Sequence, residues 1–250
     1  MSCCATDLNL GNWFDDPIHG DATRNGLRHL SSIAEKAILD LGCGEGSMSV
    51  PFARFAGSVY CIDIDHQALT AAKRKLDREA ACPFLTINAK SEALPIATES
   101  VDVVFSRSTL QYTEIPSVLA EIRRVLTVGG LLILSENLPG NIFVKAYRWA
   151  RYIRSKISGD TTYIDTIRHY VSDKEVDSLR RSFRIVSLRY FHLCRPLTIY
   201  PIMTRNHTSA WLINLDHFLK RLDDFALAKW PFLQHYAWIV SLVAIKEAQA

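Results

Sequence analysis

The sequence predicts an α/β fold: a doubly wound, mostly parallel seven-stranded sheet with a helical insertion after the fifth strand. Three observations carry that expectation. Short apolar runs alternate with stretches of helical period through the first 137 residues. A glycine-rich turn joins the first run to the next helix, the place where doubly wound sheets hold their ligands. The composition, 48% apolar and 22% charged over 250 residues, excludes a disordered chain and suits one large α/β domain.

Residues 18–36 read as one N-terminal helix, interrupted near Gly26. Residues 37–41 are a short apolar run ending in glycines, which marks a buried strand. A helix over 47–55 and a second strand over 58–63 follow. The helix over 65–78 sets Ala68, Leu69, Ala72 and Leu76 on one face, with Asp65 as its N-cap. Third and fourth strands fall at 84–88 and 101–106. A helix over 116–126 is expected to end at Gly129-Gly130, where positive φ is tolerated, before a fifth strand at 131–136.

After Asn137 the rhythm changes. Residues 142–157 and 174–182 read as helices, 185–191 alternate as a strand, and 212–228 form a helix broken before Pro231. Residues 236–246, rich in β-branched and aromatic side chains, are the last strand. No flexible linker divides the chain. It reads as one domain: N-terminal cap helices over 1–36, a ligand-binding core over 37–137, an insertion and lid with the sixth strand over 138–235, and the last strand over 236–250.

Charge separates the same two halves. The net charge of +3 argues against a dedicated nucleic-acid binder. Residues 141–195 hold 12 Lys or Arg against 5 Asp or Glu, a balance of +7, which leaves 17 against 21, or −4, elsewhere. Of 25 aromatic residues, 17 fall in 141–250. The six cysteines form no paired CxxC set and no zinc-spaced cluster with histidine, so no metal is expected. The N-terminus has neither the basic start nor the apolar stretch of a signal peptide, and the longest near-apolar run, 236–245, is far below the roughly 20 residues a membrane span needs. A cytoplasmic chain with reduced thiols is expected, with a membrane-peripheral location open through the basic helix discussed below.

The sharpest motif is Ile38-Leu39-Asp40-Leu41-Gly42-Cys43-Gly44-Glu45-Gly46. Glycines let the backbone turn tightly and approach a ligand. A dinucleotide loop, GxGxxG, needs its third glycine one place later, where this chain has Ser47. The second strand ends at Asp63, 21 residues after Gly42, where a carboxylate can accept both hydroxyls of a ribose.

These residues, with SEALPI before the fourth strand, VDVVFS in it and EIRRVLTVGGLLILSE after it, resemble the class I S-adenosylmethionine-dependent methyltransferases. The resemblance covers roughly residues 38–136, and the small-molecule enzymes of the ubiquinone/menaquinone-methyltransferase type look most similar. It implies a Rossmann-like fold and S-adenosyl-L-methionine as cofactor, with S-adenosyl-L-homocysteine as product. It places Gly42, Cys43, Gly44 and Gly46 along the methionine and ribose portion. Asp63 would hold the ribose hydroxyls and Ile64 would pack on adenine. Asp40 would either fix the loop or meet the cofactor's amino group. Ser106, Arg107 and Gln111 would face the methionine end. One position departs from the pattern: Lys90 stands where family members carry an Asp that accepts the adenine amino group, and lysine has no acceptor. Ser91, beside Glu92, or a backbone carbonyl would accept that bond instead.

A sulfonium methyl is already activated, so positioning can supply much of the acceleration. No catalytic dyad is visible. His19, His169 and His192 are candidate bases. His169, after the basic insertion, is the residue assigned here, against the alternative of a surface or capping histidine. Trp13 and Phe14 would close the pocket or simply pack. The helix over 142–157 carries Lys145, Arg148, Arg151 and Arg154 beside an apolar stripe of Ile142, Ala146, Trp149, Ile153 and Ile157. It reads as a solvated face, a cap for an acidic substrate, or a contact with an anionic membrane surface. The aromatic half, with Trp149, Tyr163, Tyr170, Phe191, Tyr200, Trp211, Phe218 and Trp230, implies a medium-sized, partly apolar acceptor: a polyketide, isoprenoid, aromatic metabolite or glycolipid, methylated on oxygen first of all. Monomer and homodimer both remain open. A non-methylating descendant, such as a cyclase that keeps the cofactor, is the alternative; a nucleic-acid or protein methyltransferase and a dehydrogenase fit the motifs less well.

Overall fold

The computed structural model describes residues 16–30, 32–159, 170–204 and 209–248. Seven strands pair in one sheet of order β3-β2-β1-β4-β5-β7-β6. They are β1 (Ala37–Leu41), β2 (Ser58–Asp63), β3 (Phe84–Asn88), β4 (Val101–Arg107), β5 (Leu126–Asn137), β6 (Arg184–Phe191) and β7 (Ile239–Ile245). The first five are parallel, and β7 runs antiparallel to both β5 and β6. The chain starts at β1, moves outward to β3 and returns to β4 on the other side. This reversal opens a crevice at the carboxyl ends of β1 and β4, where such sheets bind ligands.

The period of two along the strands sorts the core into two layers. Ile38, Val59, Val103 and Phe105 face α1 (Gly20–Leu27), α2 (Ser49–Phe55) and α3 (His66–Glu79). Leu39, Leu41, Val104 and Leu132 face α4 (Ile115–Val125) and α6 (Asp173–Ser182). A third, smaller cluster of Ala22, Val144, Ile199, Trp238 and Ile239 joins α1 to α5 (Ile142–Ser158) and α7 (Pro196–Thr204). α8 (Ala210–Lys229) and a 3-10 turn over Pro231–Tyr236 complete the insertion.

The expected elements are found, with four departures. α1 ends at Leu27 instead of reaching residue 36, and Gly26 does not break it. A Cβ there would lie 2.4 Å from Ile133 Cγ2, so the glycine lets the helix press on β5. Gly129 and Gly130 do not cap α4, which passes directly into β5 at Leu126. They lie within a bulge: Leu126 pairs with Val101 and Leu131 with Val103, and Gly129 turns through φ +81° between them. α7 was not expected, because Pro201 sits inside it and proline reads as a breaker. The last strand starts at Ile239, since residues before it are spent in the 3-10 turn.

Candidate active site

The glycine loop is pinned on two sides. The amides of Gly42 and Cys43 both donate to the Ile62 carbonyl, at 2.8 and 3.0 Å. Gly42 has φ +72°, and a Cβ on it would lie 2.0 Å from Thr109 Oγ1. That hydroxyl instead donates to the Leu41 carbonyl at 3.1 Å, tying the loop to the turn after β4. Gly46 rests on α3, where a Cβ would come within 3.0 Å of Ala72 Cβ. Gly44 is different: φ is +52°, and nothing lies within 4 Å of the place a Cβ would take. It faces open space beside the crevice.

The Gly44 amide donates to Asp63 Oδ2 at 2.7 Å, and the Asp65 amide to Asp63 Oδ1 at 2.9 Å. Each oxygen of the half-buried carboxylate keeps a further lone pair for a ligand hydroxyl. Ile64, next in the chain, is 67% exposed, a large apolar surface beside that carboxylate. Asn88 Nδ2 donates to the carbonyls of both Asp63 and Ile64 at 2.9 Å, so the end of β3 fixes this corner. Asp40 is buried and accepts from Ser49 Oγ at 2.5 Å, which ties β1 to the first turn of α2. Burial pushes its carboxyl up to about 6, although the Ser49 bond opposes the shift. Burial and the Asp40 carboxylate push the neighbouring Cys43 thiol far above its ordinary value, so it stays protonated and inert.

The opposite wall is a buried polar network at the ends of β4 and β5. His19 Nε2 lies 2.7 Å from Ser108 Oγ, and Nδ1 lies 2.9 Å from Ser135 Oγ. Asn137 Nδ2 donates to Ser108 Oγ at 3.0 Å and to Gln111 Oε1 at 3.3 Å, and Gln111 Nε2 donates to the Ser108 carbonyl at 3.3 Å. Ser108 holds this position at φ +54°, a conformation L-residues seldom adopt. Burial lowers the His19 pKa to about 3, with the charges of Arg107 and His192 adding to the effect and Asp16 opposing it. The imidazole is therefore neutral, one nitrogen donating and the other accepting. It acts as a strut between the N-terminal cap and the sheet. Arg107 spans the same junction, donating to Ser47 Oγ at 2.6 Å and to Asp16 Oδ2 at 3.4 Å.

Ser106 is wholly buried and donates to Glu136 Oε1 at 3.4 Å; it lies under the crevice, not on its surface. The amides of Thr109 and Leu110 donate to the same oxygen at 3.1 and 3.3 Å. Oε2 of Glu136 is buried with no hydrogen-bond partner among the described residues, and burial pushes this carboxyl up to about 7. Glu92 Oε1 accepts the Glu114 amide at 3.0 Å and so braces the start of α4, while Ser91 is half-buried in the turn before it. His169, Trp13, Phe14 and Tyr163 lie outside the described residues.

The structure thus brings Gly42, Gly44, Asp63 and Ile64 together at one corner and sets Gln111 in the opposite wall. It adds Asn88, Ser108, Ser135, Glu136 and Asn137, which sequence reasoning missed. A signal was present: Ser135-Glu136-Asn137 closes an otherwise apolar strand with three polar residues. Among the described residues no group of three or more His, Cys, Asp or Glu is placed to hold a metal ion, and no helix is long and apolar enough to cross a membrane.

An open glycine corner, a strand-end carboxylate and a flanking apolar side chain meet at the carboxyl edge of this α/β sheet. Residues 39–134 match the family described as the methyltransferase domain. A malonyl-[acyl-carrier protein] O-methyltransferase of Hamiltonella defensa is 31% identical over 126 residues, 50% of this chain and 47% of that protein. The chain therefore spans about half the length of that curated relative. A SAM-dependent methyltransferase from Methanosarcina mazei superposes with a TM-score of 0.56 at 22% identity, covering 86% of this chain and 94% of its own. The [4+2]-cyclase SpnF superposes with a TM-score of 0.62 at 17% identity, covering 92% and 81%. Residues 39–134 thus match a methyltransferase domain, carried on the fold that these solved structures share.

Proposed function

We propose that the protein transfers the methyl group of S-adenosylmethionine to an oxygen of a medium-sized, partly apolar small molecule. The observation that most supports this reading is the Gly44–Asp63 hydrogen bond beside exposed Ile64. It orients a carboxylate towards a ribose diol, with an apolar side chain ready for the adenine face. When bound, the cofactor supplies a methyl group already activated on a sulfonium. The chain must then orient the acceptor, exclude water and, for a weakly acidic hydroxyl, remove a proton. Gly44 leaves room for the ligand, and Ser91 or a backbone carbonyl takes the adenine amino group in place of Lys90. Ser106 and Gln111 support the methionine end from below. The O-methyltransferase among the relatives favours oxygen as the methyl acceptor.

His169 is the proposed base, because the two other candidates are engaged. His19 is held between two serine hydroxyls. His192 is buried with Nε2 on the Ile18 carbonyl, and burial together with the Arg195 charge lowers its pKa to about 4. Two measurements test the proposal. Calorimetry should show S-adenosylmethionine and S-adenosylhomocysteine binding, and Asp63→Ala should weaken it by about 100-fold, the scale of lost hydrogen bonds to a charged group. A wild-type protein that binds neither would overturn the reading. Transfer of labelled methyl into apolar metabolite fractions should fall by about 100-fold in His169→Ala. If it falls by less than about threefold with cofactor binding intact, His169 is not the base.

A further inference from the structure

The buried face of α8 mixes Leu212, Ala226 and Leu227 with two carboxylates, Asp216 and Asp223. Asp223 accepts the amides of Leu193, Cys194 and Arg195 at 2.8, 2.9 and 3.0 Å. Asp216 accepts from Arg195 Nη2 at 2.8 Å and from Thr198 Oγ1 at 2.6 Å. Burial alone would raise the Asp216 pKa; the bonds from Arg195 and Thr198 outweigh it and keep the carboxylate ionised. Lys220 on the same helix pairs with Asp21 of α1. These bonds fix the rotation of the helix, and they turn Trp211, Leu215, Phe218, Leu222 and Phe225 outwards. Trp211 is 63% exposed and Phe218 61%. The spacing of four, three, four and three makes one continuous apolar stripe.

α5 repeats the pattern with more charge. Trp149, Ile153 and Ile157 are exposed at intervals of four, Trp149 at 67%. The helix carries Lys145, Arg148, Arg151, Arg154 and Lys156 and no acidic residue. Both helices are anchored at one hub, residues 192–195. Asn141 Nδ2, at the start of α5, donates to the His192 and Leu193 carbonyls at 3.0 and 2.9 Å, and Asp223 of α8 holds the amides that follow. α7 packs against both. The hub follows β6, whose last residue, Phe191, pairs with Ile239 in line with Asn137. The lid therefore stands at the carboxyl edge of the parallel strands, the edge that holds the cofactor crevice.

We propose that the lid surface formed by α5 and α8 docks on an anionic lipid bilayer, so that the crevice edge lies near the membrane surface. Charge selects this occupant. A symmetric pair of chains meeting through these faces would bring α5 against the same run of five positive charges, and like charges across an interface disfavour association. An anionic headgroup layer complements that charge, while exposed tryptophans and phenylalanines suit the headgroup–acyl boundary. This goes beyond the methyl-transfer reading and does not depend on it.

Vesicle sedimentation of the full chain tests the proposal, using phosphatidylcholine vesicles with and without phosphatidylglycerol. Binding to the anionic vesicles should exceed binding to neutral ones by about tenfold or more, and should weaken in high salt. The double variants Lys145→Glu/Arg154→Glu on α5 and Phe218→Ser/Phe225→Ser on α8 should each reduce binding by about tenfold or more. S-adenosylhomocysteine affinity, measured on the same preparations, should stay at the wild-type value. That readout shows the variants folded and separates this proposal from the cofactor assignment. Equal binding to both vesicle types, or none to either, overturns the proposal. So does a dimer seen by light scattering that Phe218→Ser/Phe225→Ser converts to monomer, which would give the face to a second copy of the chain.

Discussion

The cofactor core and the lid bury polar groups for opposite purposes. In the core, the glycine loop is shaped mainly by bonds from its own amides, to a carbonyl and to a carboxylate, and Ile64, next to Asp63, faces out. In the lid, carboxylates and an arginine are buried to hold helices in place, while aromatic residues are left outside. A backbone-built site can be recognised from a few consecutive residues. A lid built on side-chain pairs between distant segments cannot, and it is free to vary the surface it presents.

The largest effect expected from that contrast is in the lid. Asp216→Ala leaves Arg195 with Asp21 alone, in a buried setting. Removing one partner of a buried pair costs about 3 kcal/mol or more. Urea unfolding should show the loss, while S-adenosylhomocysteine affinity stays within about threefold of wild type. A collapse of cofactor binding would show instead that the two regions fold and function as one unit.

A smaller effect separates two glycines of the core. Gly42→Ala places a methyl group against Thr109 at positive φ, and should cost about 2 kcal/mol or more. Gly44→Ala meets no neighbour, so only the backbone strain remains, about 1 kcal/mol. Its larger consequence should be on affinity, because the added methyl enters the space assigned to the ligand. Equal stability losses in the two variants would contradict the loop geometry described here.

The smallest effect lies at the junction of the two regions. The pKa of His19 is depressed on folding, so below its ordinary value of 6.5 the unfolded chain binds a proton that the folded chain refuses. Stability from this residue is present above that pH and is lost as pH falls from 6.5 towards 3. Asp40 and Glu136 act in the opposite sense, since their carboxyls are raised on folding and stability from them is lost as pH rises towards 6 and 7. The comparison must therefore be between wild type and His19→Gln. The advantage of wild type at pH 7 should shrink by roughly 1 kcal/mol at pH 5.5, and an advantage independent of pH would rule out the neutral strut.

Strands β2 and β3 fall at the residues read from the sequence, and Asp65 caps α3 as expected. Local rules suffice there, because burial in a parallel sheet demands apolar runs and a cap demands a side-chain acceptor. They fail where distant residues decide. Gly26 reads as a helix break, but its missing side chain lets α1 press on Ile133; Gly129-Gly130 reads as a cap, but the pairing of β4 with β5 makes it part of a bulge. α7 tolerates Pro201 in a segment packed between two other helices. Of the site, the glycine loop, Asp63 and Ile64 were legible because they are consecutive or at the end of a strand. The links from His19 to Ser108 and Ser135 were not, because 89 and 116 residues separate the partners.

The sequence by itself determined the order of strands and helices through residue 137 and the place of the glycine loop, since these rest on local periodicity and on backbone positions that favour glycine. The tertiary structure decided which polar side chains meet behind the crevice, that His19 is a strut and not a free base, and that α8 turns its aromatic face outwards. Each of those depends on burial and on pairing between segments far apart in the chain. Helical period alone marks the stripe from Trp211 to Phe225 as the face to bury; the bonds of Asp216 and Asp223 to the 193–198 segment, with the packing of Leu212, Ala226 and Leu227, turn the other face inwards.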